Sequence, residues 1–345
     1  MTKRTQTAAA AAWLAGALVL TALGAGCGGS PVRGLERGPD PLPSWRDGGP
    51  KDEILDWLDA VTRPGSRGFV SPADRIAVFD NDGTLIAEKP IFFQGIFVAE
   101  RARDTLPDRE RWPDADRLGR LLDGGLRSLI RLGTSSIMDV VGAAFAGSSQ
   151  EAYEEQVRRF LAEARHERFG VPYTDLVYRP MLELVALLQS HGFDVFIVSG
   201  GGSDFVRVYS EGRYGIPRQN VIGSPVQYEY VESGGKASLL RKPVATGLND
   251  RAEKPASIQR HVGRRPVFAA GNSDGDLEML TWAGRTDGGP ALRVLLRHDD
   301  QAREFAYEED AREALDRADD RDWTVVSMRD DWERVFDLDA AEPAD

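Results

Sequence analysis

Two carboxylates stand one residue apart in Asp80-Asn81-Asp82-Gly83-Thr84-Leu85, directly after the apolar run Ile76-Ala77-Val78-Phe79. The run predicts a short buried strand. The pair therefore falls where a strand ends and a Gly-containing turn begins. A strand end holds a carboxylate rigidly, and the glycine lets backbone groups approach a ligand closely. Carboxylates so placed can divide labour, one as nucleophile and one as general acid and base. A solvated Asp-Asn-Asp-Gly turn uses the same residues, so the later segments decide between the two. Val195-Phe196-Ile197-Val198 is a second apolar run, and it ends at Ser199-Gly200-Gly201-Gly202. Lys254 stands just before Pro255 at a predicted helix start. Pro266-Val267-Phe268-Ala269-Ala270 predicts another strand, ending at Gly271-Asn272-Ser273-Asp274-Gly275-Asp276.

The order Asp-x-Asp, Ser, Lys and acidic loop, with the first, second and fourth at strand ends, resembles the haloacid dehalogenase superfamily, in particular its phosphoserine phosphatase-like branch. The resemblance runs from about Ile76 to Leu296. It implies that Asp80 attacks phosphorus to form an aspartyl-phosphate, and that Asp82 protonates the leaving oxygen and then activates water. It implies phosphate contacts from Ser199 and its neighbour Gly200, from Lys254, and from Thr84, which either meets a phosphoryl oxygen or supports the turn. It also implies Mg²⁺, held by Asp80, the Asp82 carbonyl, Asn272 and Asp276. Dehalogenases of the superfamily lack an acid at the position of Asp82, and its transport ATPases carry Thr. Asp82 therefore favours a phosphatase or phosphotransferase.

The fourth motif departs from the family pattern, because Asn272 stands where a metal-ligating Asp is usual. An amide oxygen can ligate a hard cation but brings no charge. Asp274 is an additional acid, either a replacement ligand or a turn residue, and the spacing favours Asn272 with Asp276. Lys236 and Lys242 are alternatives to Lys254, which has the family-like distance to the fourth motif. The scattered His166, His191, His261 and His298 read as surface or helix-end residues. Relatives specific for phosphoserine carry a Glu shortly after the first motif and a cap Arg for the substrate carboxylate. Here Glu88 or Lys89 occupies the first place, and Arg127 and Arg131 are candidates for the second.

The elements that must position these residues alternate between strands and helices, which predicts an α/β fold: a Rossmann-like parallel sheet with helices on both faces. Ligands of such sheets bind beyond the carboxyl ends of the strands. Ile54, Trp57, Leu58 and Val61 predict an amphipathic helix. Residues 91–172 show helical patterns, such as Tyr153, Val157, Phe160 and Leu161, and no obvious strand. They predict a helical cap inserted into a core of residues 51–90 and 173–345.

The chain has 345 residues, 41% hydrophobic and 28% charged, with a net charge of −12. That size supports a substantial core, and no basic stripe points to nucleic acid. Lys3 and Arg4 precede an apolar stretch from Ala8 to Leu23, and Leu23-Gly24-Ala25-Gly26-Cys27 follows. Residues 1–26 resemble a bacterial lipoprotein signal peptide, with lipid carried on Cys27, although Gly24 departs from the usual aliphatic residue. Cys27 is the single cysteine, so no internal disulfide forms. The Gly- and Pro-rich residues 27–50 read as a flexible tether. Together these features predict an exported, membrane-anchored, Mg²⁺-dependent phosphatase of small phosphomonoesters. The alternatives are a phosphoserine-specific phosphatase, a phosphotransferase, and a non-catalytic envelope binding protein.

Overall fold

The run Ile76–Phe79 forms β1, and all of its residues are buried. This computed structural model describes residues 39–108, 115–116, 119, 134–245 and 247–338. The later strands are β2 (Asp194–Gly202), β3 (Val221–Ser224), β4 (Val226–Ser233), β5 (Lys236–Ala245), β6 (Phe268–Gly271), β7 (Leu292–Asp299), β8 (Ala306–Tyr307) and β9 (Thr324–Ser327). The main sheet runs β3-β2-β1-β6-β7, with β9 parallel to β7 and the short β8 antiparallel to it. All other pairings in this sheet are parallel.

Alternate residues of a strand face opposite ways, and β1 accordingly feeds two apolar layers. Ala77 and Phe79 pack with Ile54, Trp57 and Leu58 of α1 (Gly49–Thr62), as the helical spacing predicts. Ile76 and Val78 pack on the other face with Ile258, Leu280 and Ala314. The fold is thus a mostly parallel α/β sheet with helices on both sides. Trp57 rests against Phe193 and Phe268, with ring centroids 5.6 and 5.7 Å away.

Between β1 and β2 come α2 (Phe93–Thr105), α3 (Thr134–Phe145), α4 (Gln150–Glu163) and α5 (Arg179–Ser190). Ser149 caps α4 by accepting from the Ala152 amide at 3.2 Å. Pro stands in the first turn of α5, and Gly192 just past its end has φ 76°, the left-handed conformation that ends a helix without a Cβ penalty. Phe97 of α2 packs on Phe145, Phe160 and Phe205, with centroids 5.0, 5.3 and 5.4 Å apart. Phe205 lies on α6 (Ser203–Val206), directly after β2. Each such aromatic pair adds roughly 0.5–1.5 kcal/mol beyond area burial, so this cluster fastens the inserted helices to the core. Further helices among the described residues are α7 (Ser210–Tyr214), α8 (Glu253–His261), α9 (Leu277–Trp282), α10 (Arg312–Arg321) and α11 (Met328–Asp331).

Two features depart from the sequence expectations. Residues 41–50, expected within the tether, belong to the fold, because Leu42 and Trp45 are buried in the core. Trp45 Nε1 donates to the Pro180 carbonyl at 2.9 Å, and Ser44 Oγ donates to Glu183 at 2.8 Å. Paired hydrogen bonds and buried tryptophan outweigh the local Gly/Pro content there. The second feature is the antiparallel hairpin β4–β5, which the sequence reading did not anticipate. Gly234 and Gly235 both have positive φ and form the two-residue turn that suits a hairpin. The hairpin joins the inserted helices: the Gly147 amide donates to Arg241 O at 2.8 Å, and the Arg241 amide donates to Ser148 O at 2.9 Å. Among the described residues no helix is long and apolar enough to cross a membrane. The signal-like segment, Cys27, Arg127 and Arg131 lie outside the described residues.

Candidate active site

The carboxyl ends of β1, β2 and β6 bring the sequence motifs together. Asp80 follows β1 and is held by its amide, which donates to the Ala270 carbonyl at 2.9 Å. Lys254, in the first turn of α8, is buried. Its Nζ donates to Asp80 Oδ1 and Asp276 Oδ1, both at 2.6 Å. Burial opposes the ammonium charge, but the two carboxylates outweigh it and hold the Lys254 pKa above its ordinary value. Burial and the Asp276 charge push the Asp80 carboxyl up, against the pull of Lys254.

Asp82 faces the same cavity. Burial raises its pKa to about 6 and the Glu88 charge adds to the rise, while hydrogen bonds from Asn81 and Ser199 restrain it. A carboxyl group poised there can carry a proton near neutral pH. The turn beneath it depends on Gly83, whose φ is 81°. A Cβ at Gly83 would lie 2.1 Å from Asn272 Nδ2 and 2.8 Å from Glu88 Oε1. Only glycine therefore permits this approach of the first motif to the fourth.

Ser199 is fully buried, accepts from the Gly201 amide at 2.9 Å, and hydrogen-bonds Asp82. The backbone of Gly200, Gly201 and Gly202 lines the cavity beside it. Thr84 does not reach the cavity. It is fully buried and donates to Asn272 Oδ1 at 3.0 Å, so it supports the turn.

In the acidic loop, Asp276 has both oxygens engaged. Oδ1 takes Lys254, and Oδ2 accepts from the amides of Asn272 and Ser273 at 3.0 and 3.1 Å. In this structure it organises the loop and partners Lys254. Asp274 points elsewhere, accepting from the Ala314 amide of α10 at 2.8 Å. Lys236 and Lys242 are exposed on the hairpin, away from Lys254.

Several contributors carried no sequence signal. Asn249 is buried and donates to the Ser199 carbonyl at 3.1 Å, while Ser224 Oγ donates to Gly200 O at 2.7 Å. Gln94 of α2 accepts from the Gly202 amide at 2.9 Å, linking an inserted helix to the glycine loop. Tyr209 and Tyr214 clamp the Asn81 amide at 3.1 and 3.0 Å. His166 and His298 are buried, not surface residues. His298 Nε2 meets the Gly83 carbonyl at 2.8 Å and Nδ1 meets Glu304 at 3.3 Å, which braces the catalytic turn from below. Apart from His298 with Glu304, these contacts join residues at least 24 positions apart, so they leave no local pattern.

Residues 77–281 match the family model described as haloacid dehalogenase-like hydrolase. The chain belongs to the haloacid dehalogenase-like hydrolase family. Its fold is similar to that of a protein from Anaerococcus prevotii described as conserved and functionally unknown. That similarity has 14% identity and a TM-score of 0.50, over 72% of this chain and 86% of the other. A Bordetella pertussis Tohama I protein of unknown function aligns at 16% identity and TM-score 0.48, over 73% and 97% of the two chains. A phosphoserine phosphohydrolase-like protein from Francisella tularensis aligns at 17% identity and TM-score 0.36, over 65% and 88%. A search of curated proteins gave no match.

The residues of this haloacid dehalogenase-like hydrolase fit a hard divalent cation. Asp80, Asp82 and Asp276 set three carboxylates against the single ammonium of Lys254, and burial has already raised the first two. Among the described residues no three His, Cys, Asp or Glu side chains are grouped to hold a metal. An ion here would rely on Asp80 together with the Asp82 carbonyl and Asn272 Oδ1, oxygen donors of the kind Mg²⁺ accepts. The Asn272 amide is oriented by its neighbours, since Nδ2 donates to Glu88 Oε1 at 3.2 Å. Glu88 is therefore engaged with the fourth motif.

Proposed function

We propose that this hydrolase is a phosphatase that cleaves small phosphomonoesters through an aspartyl-phosphate on Asp80. The supporting observation is Lys254 Nζ bridging Asp80 and Asp276 at 2.6 Å each, at the floor of a cavity that Asp82 also lines. In the first step an Asp80 carboxylate oxygen bonds to phosphorus and the bond to the leaving oxygen breaks. Asp82 gives that oxygen its proton. In the second step Asp82 takes a proton from water, the water oxygen bonds to phosphorus, and the Asp80–phosphorus bond breaks to release inorganic phosphate. Lys254 neutralises charge on Asp80 and the phosphoryl group, and the Ser199 hydroxyl offers a donor to a phosphoryl oxygen. Mg²⁺, when bound, supplies charge neutralisation of the phosphoryl group.

A Mg²⁺-dependent screen of phosphomonoesters tests the reading. Wild type is expected to release phosphate, and Asp80→Asn is expected to lose turnover by roughly 10⁴-fold or more while folding normally, because an amide cannot form the phosphoryl-enzyme. Near-normal turnover in the variant would refute the assignment.

The N-terminal pattern supports export and lipid anchoring through Cys27. Cys27→Ser is expected to leave the membrane fraction or to retain its signal segment. Unchanged fractionation with normal processing would refute the anchor.

A further inference from the structure

The cavity above Asp80 has a volume of about 330 Å³. Its floor is ionic and its walls are largely apolar. Ile91, Phe92 and Val98 line it from the first inserted helix and the loop before it. Val140 lines it from α3, and Val226 and Leu248 from the base and exit of the hairpin. Pockets are commonly apolar, so the polar groups that remain must carry the argument about substrate.

Most of those polar groups are already committed. Gln94 Oε1 accepts from the Gly202 amide. Ser224 Oγ donates to Gly200 O and accepts from the Asn249 amide at 2.9 Å. Lys254 and Arg241 are the cations among the described lining residues. Lys254 lies between Asp80 and Asp276. Arg241 is buried, meets Asp204 Oδ2 at 2.7 Å, and stacks over Tyr153 at 3.8 Å. Asp250 lies on the floor side, against Gly275 of the acidic loop. Glu88 is taken by Asn272. A leaving group that carries a carboxylate would thus lose water without gaining a free cation among the described lining residues, which is costly.

We infer that the cavity selects phosphomonoesters whose leaving alcohol is uncharged and apolar, of arylalkyl type, with the ring seated between α2, α3 and the base of the hairpin. The inference rests on the phosphatase reading for its chemistry, though not for its binding preference. Discrimination comes from apolar burial, worth about fourfold in binding per methylene, and from the absence of a free cation for a carboxylate among the described lining residues.

Leaving-group basicity must be held constant, so the comparison uses esters of primary alcohols. With Mg²⁺ present, kcat/KM is measured for 2-phenylethyl phosphate, glycerol 3-phosphate and phosphoserine. The first is expected to exceed the other two by at least about 100-fold, carried mainly by KM. Equal values, or a preference for phosphoserine, would overturn the inference while leaving the phosphatase reading intact. A binding arm separates the two claims. Calorimetry compares 3-phenylpropylphosphonate with 2-amino-4-phosphonobutanoate, which cannot be hydrolysed at the carbon–phosphorus bond. Tighter binding of the phenyl compound without turnover of any ester would refute the phosphatase reading and uphold the cavity preference. Equal binding would overturn the preference. Phe92→Asn and Leu248→Asn, at positions not fully buried, are each expected to reduce the selectivity ratio by about tenfold. An unchanged ratio in both folded variants would overturn the placement of the ring.

Discussion

The floor and the walls of the cavity are built by different parts of the chain. The floor comes from three parallel strand ends and one helix start. Its side chains are charged, buried and fixed by short hydrogen bonds, such as those of Lys254 to Asp80 and Asp276. The walls come from inserted helices and a hairpin, and their side chains are largely apolar. Reaction chemistry demands fixed charges, which strand ends of a rigid sheet supply. Selection of a leaving group demands shape and apolar area, which insertions can vary without disturbing the sheet. Changes to the floor should therefore affect every substrate alike, and changes to the walls should affect substrates unequally.

The largest effect is expected at Lys254. Lys254→Met leaves Asp80 and Asp276 buried without their cation. Removing one partner of a buried pair costs about 3–5 kcal/mol, so urea unfolding should show a loss of that order, together with loss of turnover on all esters. Wild-type stability would mean that the two carboxylates do not depend on this lysine.

A smaller effect is expected at Asn272, where the structure changes what the sequence alone suggests. Replacing a neutral ligand by a carboxylate should tighten Mg²⁺. Here Asn272 Nδ2 donates to Glu88, so Asn272→Asp alone sets two carboxylates against each other. The single variant is expected to gain nothing. Asn272→Asp with Glu88→Gln is expected to bind Mg²⁺ about tenfold more tightly than wild type by calorimetry. Tightening in the single variant would show that Glu88 does not oppose the added charge.

The strand ends were legible because each is a short all-apolar run stopped by Asp, Ser or Gly. Asp80, Asp82, Ser199 and Asp276 follow such runs, and Lys254 stands at a helix start marked by Pro255. The hairpin is not legible in the sequence because β4 is largely exposed and has no apolar face to read; Tyr230 is 63% exposed and pairs with Leu239, 45% exposed. Its Gly234-Gly235 turn was the available signal. Residues 41–50 read as tether from their Gly/Pro content, because the partners of Trp45, Pro180 and Trp332, are remote in sequence. Gln94 and Asn249 are single polar residues acting across 108 and 50 positions, a relation that only the fold reveals.

The smallest effect is expected where floor and walls meet. Gln94→Ala removes the acceptor for the Gly202 amide. One neutral hydrogen bond is worth about 1 kcal/mol, or roughly a fivefold fall in kcat/KM, with the fold unchanged. The fall should be similar for apolar and polar esters, since Gln94 acts on the glycine loop. A change confined to apolar esters would place Gln94 with the walls.

The central claim is that Asp80 carries the phosphoryl group. Rapid mixing with a hydrolysed ester, acid quench and borohydride reduction convert an aspartyl-phosphate to homoserine, which mass spectrometry locates. The account predicts homoserine at position 80 in wild type and none in Asp80→Asn. Homoserine at position 82 or 276, or phosphorylation of a histidine during turnover, would contradict it.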